Sequence, residues 1–136
     1  MPIINYLAVL AAAVGGWLVG AIWYGVLGRR WMAAQGWTAA DVAAAGQRRP
    51  SIGLLILAFV AQLIMALMLA GVVGHMGEPN VTAGIISGVL VWLGFVITTV
   101  AVNNAFQKRK AMLTVIDGGH WLAVLIVQGI VIGLFG

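Results

Sequence analysis

Asp117 and His120 stand three residues apart inside an otherwise apolar stretch. On a helix that spacing brings the two side chains to one face, a turn apart. A carboxyl beside an imidazole can relay protons or bind a cation, since imidazole titrates near neutral pH. Asn103, Asn104 and Thr99 precede this pair across a short basic turn, Gln107 to Lys110. If the stretches flanking the turn are antiparallel helices, Asn103 and Asn104 reach the depth of Asp117, and Thr98 and Thr99 that of His120. The competing expectation is structural: these groups satisfy one another and lock two helices together. The structural reading is preferred, because no second acidic residue continues a pathway from Asp117.

Membrane spans are the elements that must position this cluster. The chain has 136 residues, of which 63% are hydrophobic and 7% charged, and its mean hydropathy is +1.11. A soluble domain carries about a quarter charged residues, so these values identify an integral membrane protein. Four apolar stretches run from Ile3 to Leu27, Ile52 to Val73, Val81 to Asn103 and Ala111 to Phe135. Crossing about 30 Å of hydrocarbon takes roughly 20 helical residues, and all four stretches meet that length. None alternates as a barrel strand does, and backbone groups must be satisfied within lipid, so all four are read as helices. The first lacks a basic residue before it and is read as a retained span rather than a signal peptide.

The expected fold is therefore an all-α integral membrane protein, a single domain over residues 1–136. Its four transmembrane helices form an antiparallel up-down bundle. Pro2, Pro50 and Pro79 each fall just before a span, where a missing N–H costs nothing. Between Gly28 and Pro50, Thr38 and Asp41 have capping-box spacing. A short interfacial helix is predicted from about Ala39 to Ala45, with Trp31 and Trp37 at headgroup level.

Orientation follows from charge. The seven basic residues are Arg29, Arg30, Arg48 and Arg49 in the first loop, and Lys108, Arg109 and Lys110 in the third. The second loop and both tails have none. By the positive-inside rule, loops one and three face the cytoplasm and both termini face outward. Contact with anionic lipid headgroups accounts for the basic balance without nucleic acid.

Small residues and lone amides point to tight packing. Gly16 and Gly20, and again Gly84 and Gly88, are four residues apart, which lets two backbones approach closely. The spacing does not say whether the partner is internal or a second subunit. Gln62 and Gln128 lie deep in the second and fourth spans and read as interhelical hydrogen bonders. Trp17 and Trp92 fall near mid-membrane and read as fillers of gaps left by glycine. Tyr6, Trp23 and Tyr24 fit interfacial belts.

No hydrolytic triad, phosphate-binding glycine loop or closed metal motif is present, and the chain has no cysteine. No catalytic residue, metal or cofactor is expected, and the protein is not read as an enzyme. The leading expectation is a structural or accessory membrane subunit that self-assembles as a homo-oligomer or joins a larger membrane complex. The alternative is a small transporter or channel in which Asp117 and His120 couple protons or a cation.

Several segments also resemble a known family. Asn5-Tyr6-Leu7-Ala8-Val9, a glycine-rich helix ending at Trp23-Tyr24, then Gly28-Arg29-Arg30-Trp31 and Gly36-Trp37-Thr38 make up the first half of the likeness. The second half is Asn103-Asn104-Ala105-Phe106, the basic turn, Ile116-Asp117-Gly118-Gly119-His120-Trp121 and Gln128-Gly129. Together they resemble a bacterial membrane family, the domain of unknown function numbered 1761, over nearly the whole chain. The resemblance implies four transmembrane helices in a bacterial inner membrane, which with the charge rule would put both termini in the periplasm; it implies no assigned activity and carries over no functional residue.

Overall fold

Asn5 starts the first helix as its N-cap, its side-chain oxygen accepting from the N–H groups of Leu7 and Ala8 at 3.1 and 3.2 Å. The computed structural model describes residues 4–46 and 50–136. Pro2, Ile3, Arg48 and Arg49 lie outside the described residues. Helix α1 spans Tyr6–Ala34, α2 Ala39–Gly46, α3 Ile52–His75 and α4 Val81–Val91. A π-helical turn at Trp92–Val96 joins α4 to α5, Ile97–Phe106, and α6 is Ala111–Phe135. The described residues contain no strand. Among the described residues four helical stretches are long and apolar enough to cross a membrane: Tyr6–Ala34, Ile52–His75, Val81–Phe106 and Ala111–Phe135.

Helix α1 continues past Leu27, its expected end, to Ala34. A single glycine such as Gly28 costs a helix only about 1 kcal/mol, and Arg29, Arg30, Met32, Ala33 and Ala34 favour helix. The stop comes at Gly36, whose φ of 78° is left-handed. There the N–H groups of Gly36 and Trp37 donate to the carbonyls of Ala33 and Met32, closing the helix end in a Schellman arrangement. The same closure ends α5, with Lys108 in the left-handed position at φ 55°.

Helix α2 begins with the reciprocal bonds of a capping box. The Thr38 N–H donates to an Asp41 carboxylate oxygen at 2.8 Å, and the Asp41 N–H donates to the Thr38 hydroxyl at 3.2 Å. Its span, Ala39–Gly46, lies within a residue of the range that spacing predicted.

The third span is not one uninterrupted α-helix. Between Trp92 and Val96 the turn widens, and the Ile97 N–H donates five residues back, to the Trp92 carbonyl. No proline marks this place. Its physical anchor is tertiary, the Trp92 indole N–H donating to the Gly118 carbonyl of α6 at 2.7 Å.

Helix α6 is the element most surrounded by others, packing against α1 on one side and α4 on another, with α3 closing on both α1 and α6. Ala12, Ala13, Ala66, Leu69, Val73 and Leu125 form the buried core where they meet. Since side chains gain little by leaving lipid for protein, close backbone approach is what holds such a core. Gly84 of α4 lies against the Gly129 backbone, Gly88 against the Leu125 carbonyl, and Gly133 against the Asn80 carbonyl. A Cβ at any of these three glycines would overlap backbone of the facing segment.

Candidate functional site

Lys110, the N-cap of α6, reaches across to the end of α1, its ammonium donating to the Ala33 carbonyl at 3.3 Å. Beside it Arg109 donates to the Gln35 side-chain oxygen at 2.9 Å. These contacts, with the C-terminal closures of α1 and α5, gather Arg29, Arg30, Lys108, Arg109 and Lys110 at one end of the molecule, all exposed. Cations there also complement the partial negative charge of the α1 and α5 C-termini.

Inward from this basic end lies a cleft of about 880 Å³. Tyr24, Gly28 and Trp31 of α1, Leu54 of α3, Val100 and Asn103 of α5, and Asp117 and Trp121 of α6 line it. Asn104 and Gln107 complete the polar wall. Asp117 is half-buried, and one of its carboxylate oxygens accepts from the Tyr24 hydroxyl at 2.6 Å, within the range of a hydroxyl–carboxylate bond.

Two indoles grip α6 at this level. Trp23 donates to the Ile116 carbonyl at 3.0 Å and Trp92 to the Gly118 carbonyl at 2.7 Å. Gly119 makes the space that Trp23 needs, since a Cβ there would press on its ring, and Gly118 makes room for Ile97 of α5. The turn bearing Asp117 is therefore held from α1 and from the π-turn of the third span.

The residues singled out from sequence divide into three groups. Asp117, Asn103 and Asn104 line the same cleft, and the Asn104 amide also donates to the Thr114 hydroxyl at 3.1 Å. His120 lies outside the lining; it is 5% exposed and packs behind Tyr24, with ring centroids 5.0 Å apart. Its Nδ1 is buried without a hydrogen-bond partner. Thr99 joins neither group, because its exposed hydroxyl donates to the Phe95 carbonyl on its own helix at 2.6 Å. The widened π-turn changes which face of the helix each following residue occupies, a rotation that counting along a regular helix misses.

The glycine pair of α1 faces side chains instead of a second backbone. Gly20 lies over the His120 ring, and Gly16 lies over the side-chain amides of Gln62 and Gln128. Those amides meet directly, Gln128 donating to the Gln62 side-chain oxygen at 2.7 Å, with Gln128 fully buried at 0% exposure. Gly16, Gly20, Gly84 and Gly88 are thus all occupied by contacts within one chain.

Sequence reasoning missed Tyr24, Trp31, Trp121 and Gln107 as parts of the cleft. Tyr24 and Trp31 were explained by interfacial belts, and only the register of α1 against α6 brings the Tyr24 hydroxyl to Asp117. Among the described residues no cluster of three or more His, Asp or Glu could hold a metal ion. No curated protein and no solved structure matches the chain. Residues 7–133 match the family described as "Protein of unknown function (DUF1761)", which covers both halves of the cleft, and the chain belongs to that family.

Proposed function

We propose that this protein is a multi-pass transport protein of the inner membrane, which takes a small solute into the cleft and uses Asp117 as its binding and coupling group. The observation that carries this reading is the placement of the Asp117 carboxylate. It is half-buried in a membrane-compatible helix, bonded to a neutral hydroxyl and open to a cleft large enough for a small molecule. Ionisable groups at such positions commonly mark substrate or ion pathways. The reading includes no enzymatic step.

The up-down order of four spans is part of this reading, and its third and fourth members are supported as an antiparallel pair by contacts in which rising numbers on the third span meet falling numbers on α6: Gly84 with Gly129, Gly88 with Leu125, Trp92 with Gly118. The cytoplasmic placing of the cleft mouth rests on the positive-inside rule applied to Arg29, Arg30 and Lys108 to Lys110. An interfacial position for α2 is supported by Trp31 and Trp37, whose rings meet at 5.3 Å just before it.

Reconstituted vesicles test this function. Solute-dependent flux or proton movement is expected in vesicles containing the protein, and Asp117→Asn should abolish it. Flux unaltered by that substitution would overturn the role of Asp117.

A second reading, a structural or accessory subunit, is favoured by the wide apolar faces of the chain, such as Ile52, Leu57, Phe95 and Phe106, all exposed. Lipid covers such faces equally well. A fixed stoichiometry above one in native lipid, without flux, would favour this second reading.

A further inference from the structure

We propose that the cleft selects an organic monocation with an aromatic or otherwise apolar body. The inference rests on the reading of the cleft as a solute site and adds the chemistry of the solute. Its basis is the lining itself, which among the described residues contains one acid, Asp117, and no base. Lys108, Arg109 and Lys110 line an adjoining recess of about 290 Å³ with Ala34, Gln35 and Gly36, on the other side of Gln107, which lines both. An anion entering the cleft meets no basic side chain in this described lining and is opposed by Asp117.

The remaining lining decides between kinds of cation. A hard metal ion replaces its water shell with several oxygen ligands, usually including more than one carboxylate. Among the described residues Asp117 is the only carboxylate lining the cleft, and the rest of the wall is largely aromatic and aliphatic: Tyr24, Trp31, Trp121, Met32, Leu54 and Val100. Aromatic side chains attract an organic cation through their ring faces and gain from covering its apolar body. Asn103, Asn104 and Gln107 add neutral amides able to orient a polar substituent. One carboxylate, three aromatic residues and a volume in the range of small-molecule sites, about 300–1,000 Å³, match a singly charged amphipathic amine or onium ion. The same chemistry is offered by a free cation and by the ammonium of a lipid headgroup.

Two ions of nearly equal size and opposite charge test the proposal, tetraphenylphosphonium and tetraphenylborate. Each is titrated by equilibrium dialysis against the full chain in phosphatidylglycerol nanodiscs, with empty discs subtracted. Saturable, one-to-one binding of tetraphenylphosphonium is expected, with affinity falling about tenfold or more in Asp117→Asn. No saturable binding of tetraphenylborate is expected. Trp121→Leu should weaken the cation several-fold while leaving the protein monodisperse.

Saturable tetraphenylborate binding that Trp121→Leu weakens would overturn the cation assignment and leave the cleft as a solute site. Absence of saturable binding by either ion would overturn the inference, while the vesicle flux experiment judges the cleft reading separately. Repeating the titration in discs containing phosphatidylethanolamine separates the two sources. Competition by that lipid supports a headgroup ammonium, and unchanged affinity supports a free cation.

Discussion

Gly84 of α4 and Gly129 of α6 lie backbone against backbone, so close that a Cβ on either would overlap the carbonyl of the other. A carbonyl in a hydrogen-bonded helix cannot swing aside as a side chain can, so the two helices would have to separate. Gly84→Leu is expected to destabilise the protein by at least the roughly 1–3 kcal/mol of an overpacked core. Gly71→Ala, at a position with nothing within 4 Å, should be neutral or slightly stabilising. Unfolding in bicelles compares the two, and equal stability of both variants would contradict the close crossing.

The Gln62–Gln128 bond is a second contact with a measurable signature. Gln128→Leu leaves the Gln62 amide without its partner in an apolar interior, at a cost of about 0.6–2 kcal/mol. Replacing both by leucine removes both polar groups and should recover part of that loss. A double-mutant cycle in lipid is therefore expected to be non-additive. Strict additivity would mean that the two amides do not act as a pair.

Tyr24→Phe deletes the hydroxyl that donates to Asp117 and changes nothing else in the ring's shape. A hydrogen bond to a charged group contributes about 1.5–3 kcal/mol, and half-burial of this pair places the expected loss toward the lower figure. Tyr6→Phe, at an exposed position, is the control and should be silent. If the two variants unfold alike, Asp117 does not depend on Tyr24.

Lys108 occupies a left-handed conformation that glycine adopts without penalty, with φ 55°. Lys108→Gly should stabilise the turn between α5 and α6 by about 1 kcal/mol, whereas Lys108→Gln, which loses the same charge, should not. Thermal unfolding of both variants checks this. Equal stabilisation by glycine and glutamine would assign the effect to charge instead of backbone conformation.

Asp41 lies outside the spans, and its carboxyl is held below its ordinary value of 3.8, first by the Thr38 backbone N–H and then by the Thr38 side chain. A carboxyl depressed in the folded state stabilises above its unfolded pKa, and that contribution is lost as pH falls through the folded value. Amide protection across Ala39–Gly46 should therefore decrease on acidification below the ordinary carboxylate range. In Asp41→Asn this acid-dependent loss should vanish. Thr38→Ala should weaken the helix at neutral pH by about 0.5–2 kcal/mol.

Composition and periodicity alone determined that this chain has four membrane-compatible helices, since hydrocarbon thickness sets their length and lipid forbids unsatisfied backbone. The helix after Thr38 was equally legible, because a capping box is a bond between residues three apart. Local chemistry did not disclose where α1 ends, as Gly28 and Gly36 are the same residue type and only the second adopts a left-handed backbone. Nor did it disclose the π-turn at Trp92, which is tied to a carbonyl 26 positions away.

The candidate site shows the same division. Asp117 stood out in the sequence because a carboxylate in an apolar helix is costly and rare. Its neighbours required register: Tyr24 reaches it from 93 positions away, and Thr99 donates to its own span without joining the cleft. Whether Gly16 and Gly20 would meet a helix, another subunit or polar side chains was likewise undecided, because small residues specify a close approach without naming what approaches. The tertiary structure decided this by bringing His120, Gln62 and Gln128 against α1, where only a missing side chain leaves room for them.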